Sequence, residues 1–212
     1  MSIPHQGIKV NLSAQQRDFR LPRTFYARDT RLVARELLGK RVVRFLGRQR
    51  LAGIIVEAEA YAGTDDAASH AYRGRTSRNW PMFGSPGHAY VYFVYGMHWM
   101  FNIVAHEEDW PGAILIRALE PEAGLSVMCQ HRGGKPTRVL TNGPAKLAQA
   151  LAIDDALNGA DLCTHGAITI ESGLVIPDAS IVCGPRLRVP GDEQAKTRLW
   201  RFWVRDNVYV SS

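Results

Sequence analysis

Residues 41–61 read RVVRFLGRQRLAGIIVEAEAY, two apolar, β-branched runs separated by Gly-Arg-Gln-Arg. The pattern predicts a strand from Arg41 to Leu46, a turn from Gly47 to Arg50, and a second strand from Leu51 to Tyr61 that returns antiparallel to the first. Such a pair anchors a sheet, and the sheet decides the fold class. Within VEAEAY, alternation of period two puts Glu57, Glu59 and Tyr61 on one face and Val56, Ala58 and Ala60 on the other. Two carboxylates then share a face about 7 Å apart, from a rise of about 3.3 Å per residue. Like charges so close resist joint ionisation, which raises a pKa and suits one of the pair to take a proton from water. The alternative is a solvated face whose charges keep the strand soluble; Tyr61, two residues on, argues for a pocket.

Outward from this hairpin, Gly63 to Gly87 is polar and rich in Gly, Arg, Ser and Asp, long enough for a connection that it reads as a binding loop. AYVYFVYGMHWMFNIVA (89–105) comes next, giving strands Tyr90 to Tyr95 and Trp99 to Val104 about a turn at Gly96-Met97, with a third strand from Ala113 to Leu119. Toward the N-terminus, Asp29 caps a helix with Leu32, Val33, Leu37 and Leu38 on one side and a stop at Gly39. Further helices are expected over Pro121 to His131 and Pro144 to Ala152, the second capped by Asn142 or Gly143. Ala167 to Glu171, Ser180 to Val189 and Leu199 to Val204 read as strand. Residues 1–22 lack periodicity and read as an N-terminal arm ending at Leu21-Pro22. No repeat or linker divides the chain, so the expected fold is one mixed α/β domain, of α+β type, over residues 1–212 on an antiparallel β-sheet.

Composition narrows the function classes. Of 212 residues, 46% are hydrophobic and 22% charged, which excludes intrinsic disorder and a minimal stapled scaffold. Lys and Arg number 26 against 20 Asp and Glu, a net charge of +6 that favours a polyanionic partner. Of the 26, 21 are Arg, the side chain suited to forked phosphate contacts, although a GC-rich genome enriches Arg as well. Cys129, Cys163 and Cys183 form no close pair, so neither a disulfide framework nor a thiolate metal site is expected, and a reducing compartment is the default. With no signal pattern and no apolar run near the roughly 18 residues of a membrane helix, the expectation is a soluble, cytoplasmic protein.

Chemistry concentrates in the loop and the meander. His70, Arg73, Arg75 and Arg78 are succeeded by Tyr90, Tyr92, Tyr95, His98 and Trp99, basic groups for phosphates interleaved with rings for stacking on bases. Strand aromatics are more often plain core. Tyr95 differs, because beside Gly96 at the hairpin tip it and Met97 protrude, and such wedges enter the minor groove and unstack bases. The seven His are scattered, and His106-Glu107-Glu108-Asp109 lacks the second His of a zinc helix, so no metal and no cofactor are expected. Lys146, on a helix, reads as an exposed residue or a phosphate contact rather than a Schiff-base nucleophile. Arg188 to Asp192 resembles a fragment of a helix-hairpin-helix turn, but its flanks read as strand and the repeated Gly is missing, so it is set aside.

VEAEAY, DDAASHA, RNWPMFGSPGHAYVYFVYGMHWMFNIV, GAILIRALEP and NGPAKLAQAL together resemble the alkyladenine (3-methyladenine) DNA glycosylase family, in order from about Leu37 to Ile153 and more loosely to Val210. The resemblance implies a single domain with a curved antiparallel sheet, a protruding β-hairpin and flanking helices, acting as a metal-free, monofunctional hydrolase. It implies that Glu59 activates water and Arg117 helps position it. Tyr61, His70 and Tyr92 match residues that contact the flipped base, Asn102 the pocket-floor side chain that screens exocyclic groups, and Tyr95, with Met97 beside it, the plug of the vacated stack. The partner so implied is double-stranded DNA containing damaged purines, met by a monomer. The loop HAYRGRTSRNWP departs in length and content from animal members. Physically, a carboxylate stabilises an oxocarbenium-like state and deprotonates the attacking water. Rings such as Tyr61 and Tyr92 favour cationic alkylpurines by roughly 0.5 to 2 kcal/mol each. Two other classes share part of this pattern. An RNA-binding module with a fold similar to the C-terminal domain of methionyl-tRNA formyltransferase has no use for Glu57 and Glu59; a glycoside or nucleoside hydrolase has none for Tyr95 or the Arg-rich loop.

Overall fold

The computed structural model describes residues 19–107 and 110–211. Most of the expected arm lies outside these residues, and its described end already belongs to the fold: Arg20 bridges Glu171, and buried Leu21 donates its N–H to Ile170. Helix α1 (Arg23–Tyr26) buries Tyr26. Helix α2 (Thr30–Glu36) starts at Asp29, whose carboxylate accepts from the N–H groups of Arg31 and Leu32, as an N-cap must. Val33, Leu37 and Leu38 are buried, but Leu32 is 44% exposed, so the apolar face is narrower than expected. After α2 the chain turns at Gly39, φ +84°, where a Cβ would lie 2.3 Å from the Leu174 carbonyl oxygen.

Strand β1 (Arg41–Leu46) and strand β2 (Gln49–Ala62) form the expected hairpin with a tighter turn, Gly47-Arg48. Strands β3 (Ala89–Val94), β4 (His98–Val104) and β5 (Gly112–Ala123) form the expected meander. β5 runs through Pro121, which was expected at the first turn of a helix; helix α3 spans only Leu125–His131. Pro121 is accommodated opposite Gly53, where the register shifts and the missing N–H breaks no regular ladder. Helix α4 (Pro144–Ala150) begins with Pro after Gly143 and ends two residues earlier than expected. Strands β6 (Ile168–Glu171) and β7 (Ile181–Gly184) come next, β7 stopping where Pro185 removes a donor rather than continuing to Val189. Helix α5 (Glu193–Thr197), capped by the Asp192 side chain on the Ala195 N–H, stands between the expected strands Ser180–Val189 and Leu199–Val204, where no helix was expected; strand β8 (Arg201–Val204) closes the set.

The sheet runs β3-β4-β5-β2-β1-β6, with β8 also on β2 and β7 on β8, every pairing antiparallel. This is the expected mixed α/β domain. Strand β2 is its axis. One edge of β2 pairs with β5; the other pairs with β1 over its first half and then with β8, where Glu57 faces Trp203 and Glu59 faces Arg201. Between Ile55 and Ala58 the β2–β5 register shifts twice, leaving Val56 and Arg117 without direct partners. The bulge corrects the strict alternation read from VEAEAY: Val56 joins Ile54 and Ala118 in one apolar cluster, whereas Ala58 and Ala60 pack in the main core with Leu37, Ile55, Leu147 and Phe101. Bulges re-aim side chains, and this one sits at the two buried carboxylates.

Candidate active site

Glu59 has no exposed surface. Its Oε2 accepts from the Tyr61 hydroxyl at 2.9 Å and from Arg117 Nη1 at 3.1 Å, and its Oε1 accepts from the Leu187 N–H at 2.7 Å. A carboxylate has about four lone-pair sites, so one remains, on Oε1. Glu57, equally buried, lies against Arg117 Nε at 2.9 Å and Arg201 Nε at 2.7 Å. The mutual repulsion expected of the two carboxylates is therefore met by two guanidinium groups. Burial works against the charge on Arg117, but Glu59 and then Glu57 more than compensate and raise its pKa.

In front of Glu59 opens a cavity of about 880 Å³ whose walls include Tyr61, His70, Tyr92, Tyr95, Asn102 and Arg117. Six of the eight site residues expected from sequence thus meet in one place. Glu59 lies just behind the wall through Tyr61, Arg117 and Leu187, and Met97 lies outside it. Tyr61 is backed by Arg186, whose guanidinium stands 4.7 Å from the ring centroid and 5.1 Å from that of Trp200. Arg186 is itself fixed by a two-pronged pair with Asp66, at 2.6 and 2.7 Å, and by the carbonyls of Ala60 and Ala195. One face of Tyr61 is thereby occupied, and stacking is left to the other.

The loop after Asp66 is organised by buried Asn79, whose amide donates to the carbonyls of His70 and Gly74 and accepts from the Thr76 N–H. It delivers His70 edge-on to Tyr92, ring centroids 4.7 Å apart, with Nδ1 2.8 Å from the Tyr90 hydroxyl. Although His70 is exposed to the cavity, burial among these rings and then the charge of Arg78 pull its pKa down to about 4. Burial first, and then neighbouring Glu59 and Tyr95 against the opposing pull of Arg78, push the Tyr92 phenol up to about 12. Arg78 lies 5.0 Å from the Tyr92 ring centroid. Asn102, almost fully buried, donates from Nδ2 to the Tyr90 carbonyl at 3.0 Å.

At the mouth, the β3–β4 turn carries Tyr95 at 80% exposure and Met97 at 67%. Tyr95 has φ 54° and Gly96 φ 68°. A bulky residue in the left-handed region costs of order 1 kcal/mol or more, so this turn holds an aromatic ring out to solvent against local preference.

Sequence reasoning gave no individual site role to Tyr90, Arg186, Leu187 or Ser211. The segment Leu187–Pro190, part of which was set aside as a fortuitous motif, lines the cavity, and it leads into helix α5 rather than strand. Lys146, half-buried rather than exposed, lines the cavity with Nζ 2.9 Å from Asn142 Oδ1. Among the described residues no three His, Cys, Asp or Glu side chains group as metal ligands, and no helix is long and apolar enough to cross a membrane.

Two measurements check this geometry. Asp66→Ala should cost about 3–5 kcal/mol in urea unfolding, because it strands the Arg186 charge without its partner in a site where both side chains are wholly buried; a loss under about 1 kcal/mol would contradict the packing. His70 should titrate near pH 4 by NMR rather than at the ordinary 6.5. Unfolding then takes up a proton between those values, so stability should fall as pH is lowered through that window, a dependence that His70→Gln removes.

Residues 24–208 match the model of the family described as methylpurine-DNA glycosylase (MPG). A protein of Carboxydothermus hydrogenoformans named "Putative 3-methyladenine DNA glycosylase" is 49% identical over 191 residues, 90% of this chain and 98% of its own. Proteins of the same name from Desulfitobacterium hafniense and Methanocella arvoryzae are 46% and 45% identical, over 91% and 90% of this chain and 98% and 95% of theirs. A match over nearly all of the described residues, joined to identities of this size, places the chain in the methylpurine-DNA glycosylase family.

Proposed function

We propose that the protein turns alkylated purines of the 3-methyladenine type out of damaged duplex DNA into this cavity and hydrolyses their N-glycosidic bond with a water deprotonated by Glu59. Family membership makes the chain a DNA glycosylase, a hydrolase of N-glycosyl bonds in the repair of alkylated purines. The observation that carries the mechanism is Glu59 itself: sealed from bulk water, held by Tyr61, Arg117 and Leu187, and left with one acceptor site beside an aromatic cavity.

In this reading the base stacks on the free face of Tyr61 and against Tyr92 and His70, while Asn102 screens exocyclic groups at the floor. Water attacks the sugar C1′, its proton passes to Glu59, and the C1′–N bond breaks with its electron pair leaving on the base. The products are free base and an abasic site. A purine that already carries the alkylation charge departs neutral and needs no acid. His70, held neutral down to about pH 4, supplies hydrogen bonds rather than a proton. Arg117 supports the ionised carboxylate and helps position the water. Tyr95 and Met97 fill the gap that the flipped base leaves, and because damaged bases flip at least cost, the plug favours lesions over intact pairs.

Glu59→Gln should keep damaged-duplex binding and lose base release by about 10²- to 10⁴-fold, since the amide preserves shape but accepts no proton. Single-turnover rates within about threefold of wild type, on the order of 0.65 kcal/mol, would sink the assignment. Tyr95→Ala should leave the melting temperature nearly unchanged, because the ring is exposed, whereas loss of a buried aromatic costs about 3–5 kcal/mol. Binding and excision on paired damaged DNA should fall, and fall less on single strands, which have no partner stack to refill. An equal loss on both substrates would remove the plug from the mechanism.

A further inference from the structure

Arg117 reaches Glu59 through one nitrogen, and its other two are committed elsewhere. Nε donates to Glu57 Oε1 at 2.9 Å and Nη2 to the Ser211 hydroxyl at 3.1 Å. Ser211 lies beyond β8 in a segment that folds back across the sheet, with Tyr209 and Val210 packed on the Ile54, Val56 and Ala118 cluster. All of its polar atoms are engaged. Its N–H donates to Glu57 Oε2 at 2.6 Å, its hydroxyl to Glu57 Oε1 at 3.0 Å, and its carbonyl accepts from Arg201 Nη2 at 3.2 Å. Glu57 therefore collects four hydrogen bonds, from Arg117, Arg201 and Ser211, with no exposed surface. The two carboxylates and two guanidiniums balance in charge.

We infer that Glu57 and Ser211 form a bracket that positions Arg117, holding its guanidinium to a single contact with Glu59. Arg and carboxylate favour a two-pronged fork in which both oxygens are occupied. A fork between Arg117 and Glu59 would take the lone-pair site on Oε1 that the attacking water needs. By claiming Nε for Glu57 and Nη2 for Ser211, the bracket leaves Nη1 alone for Glu59 and leaves that acceptor site unclaimed by the protein. Glu57 touches neither substrate nor the reacting atoms; it is a positioning residue that acts through Arg117. The inference rests on Glu59 as the base.

Its test compares single-turnover base release from methylated duplex DNA, damaged-duplex affinity and melting temperature for Glu59→Gln, Glu57→Gln and Ser211→Ala. Ser211→Ala is repeated in an Arg117→Lys background, which keeps the charge and loses the fork. Ser211→Ala should release base about tenfold more slowly, and Glu57→Gln up to about a hundredfold, the scale of a small misplacement of a reacting group. Affinity should hold in both; Ser211→Ala should stay folded at the assay temperature with a lowered melting temperature, because it leaves the buried Arg117 Nη2 without its acceptor. In Arg117→Lys, adding Ser211→Ala should cost nothing further, which a merely structural tether would not reproduce. Should Glu57→Gln fail to fold, Ser211→Ala and its cycle decide alone. An inactive Glu59→Gln with Ser211→Ala at wild-type rate overturns the bracket and leaves the base assignment standing. So does a Ser211→Ala loss that persists in full beside Arg117→Lys. An active Glu59→Gln overturns the base assignment, and the bracket with it.

Discussion

A guanidinium set between two fully buried carboxylates is the constraint on which this fold and its site both turn. Arg117, brought in by β5, bonds to Glu57 and Glu59 of β2, and Arg201 of β8 closes the cluster from the other edge. Burying either carboxylate unpaired would cost several kcal/mol, and removing one partner of such a cluster leaves a charge with no solvent to receive it. The strands must therefore meet at this point. A strand of fourteen residues with both edges satisfied, changing partner from β1 to β8 beside the acids, is the architecture that lets them.

The bulge between Ile55 and Ala58 turns that constraint into a site. In an unbroken ladder, alternation would send Val56 to the face of Ala58 and Ala60; the extra residue lets Val56 join the outer cluster while the carboxylates gather around Arg117. In front of the acids the cavity wall is stiffened from behind, Tyr61 by Arg186 and Asp66, and His70 by Tyr90 and Asn79. Rings held this way lose little freedom when a flat ligand enters, which is what a stacking pocket requires. At the rim the demand is opposite. The left-handed Tyr95 is held out largely to solvent, a local cost that a core residue would have no reason to bear.

The sequence by itself determined the periodic parts. The β1–β2 hairpin, the meander, the Asp29 cap and the exposed tip at Tyr95 arise from alternation, turn chemistry and capping, which act over a few neighbouring residues. Resemblance to a family supplied the roles expected of Glu59, Tyr61, His70, Tyr92, Asn102 and Arg117, and all but Glu59 line one cavity. Tertiary structure decided what depends on residues far apart in the chain. Pro121 lies in a strand because Gly53 and a register shift admit it there, and helix α5 forms where no helix was legible because Asp192 caps it and Ala195 is buried. Glu57 is surrounded by Arg117, Arg201 and Ser211, 60, 144 and 154 positions away. Local pattern could show two acids on one strand, but whether they repel each other in water or share buried cations depends on the charges that folding brings to them.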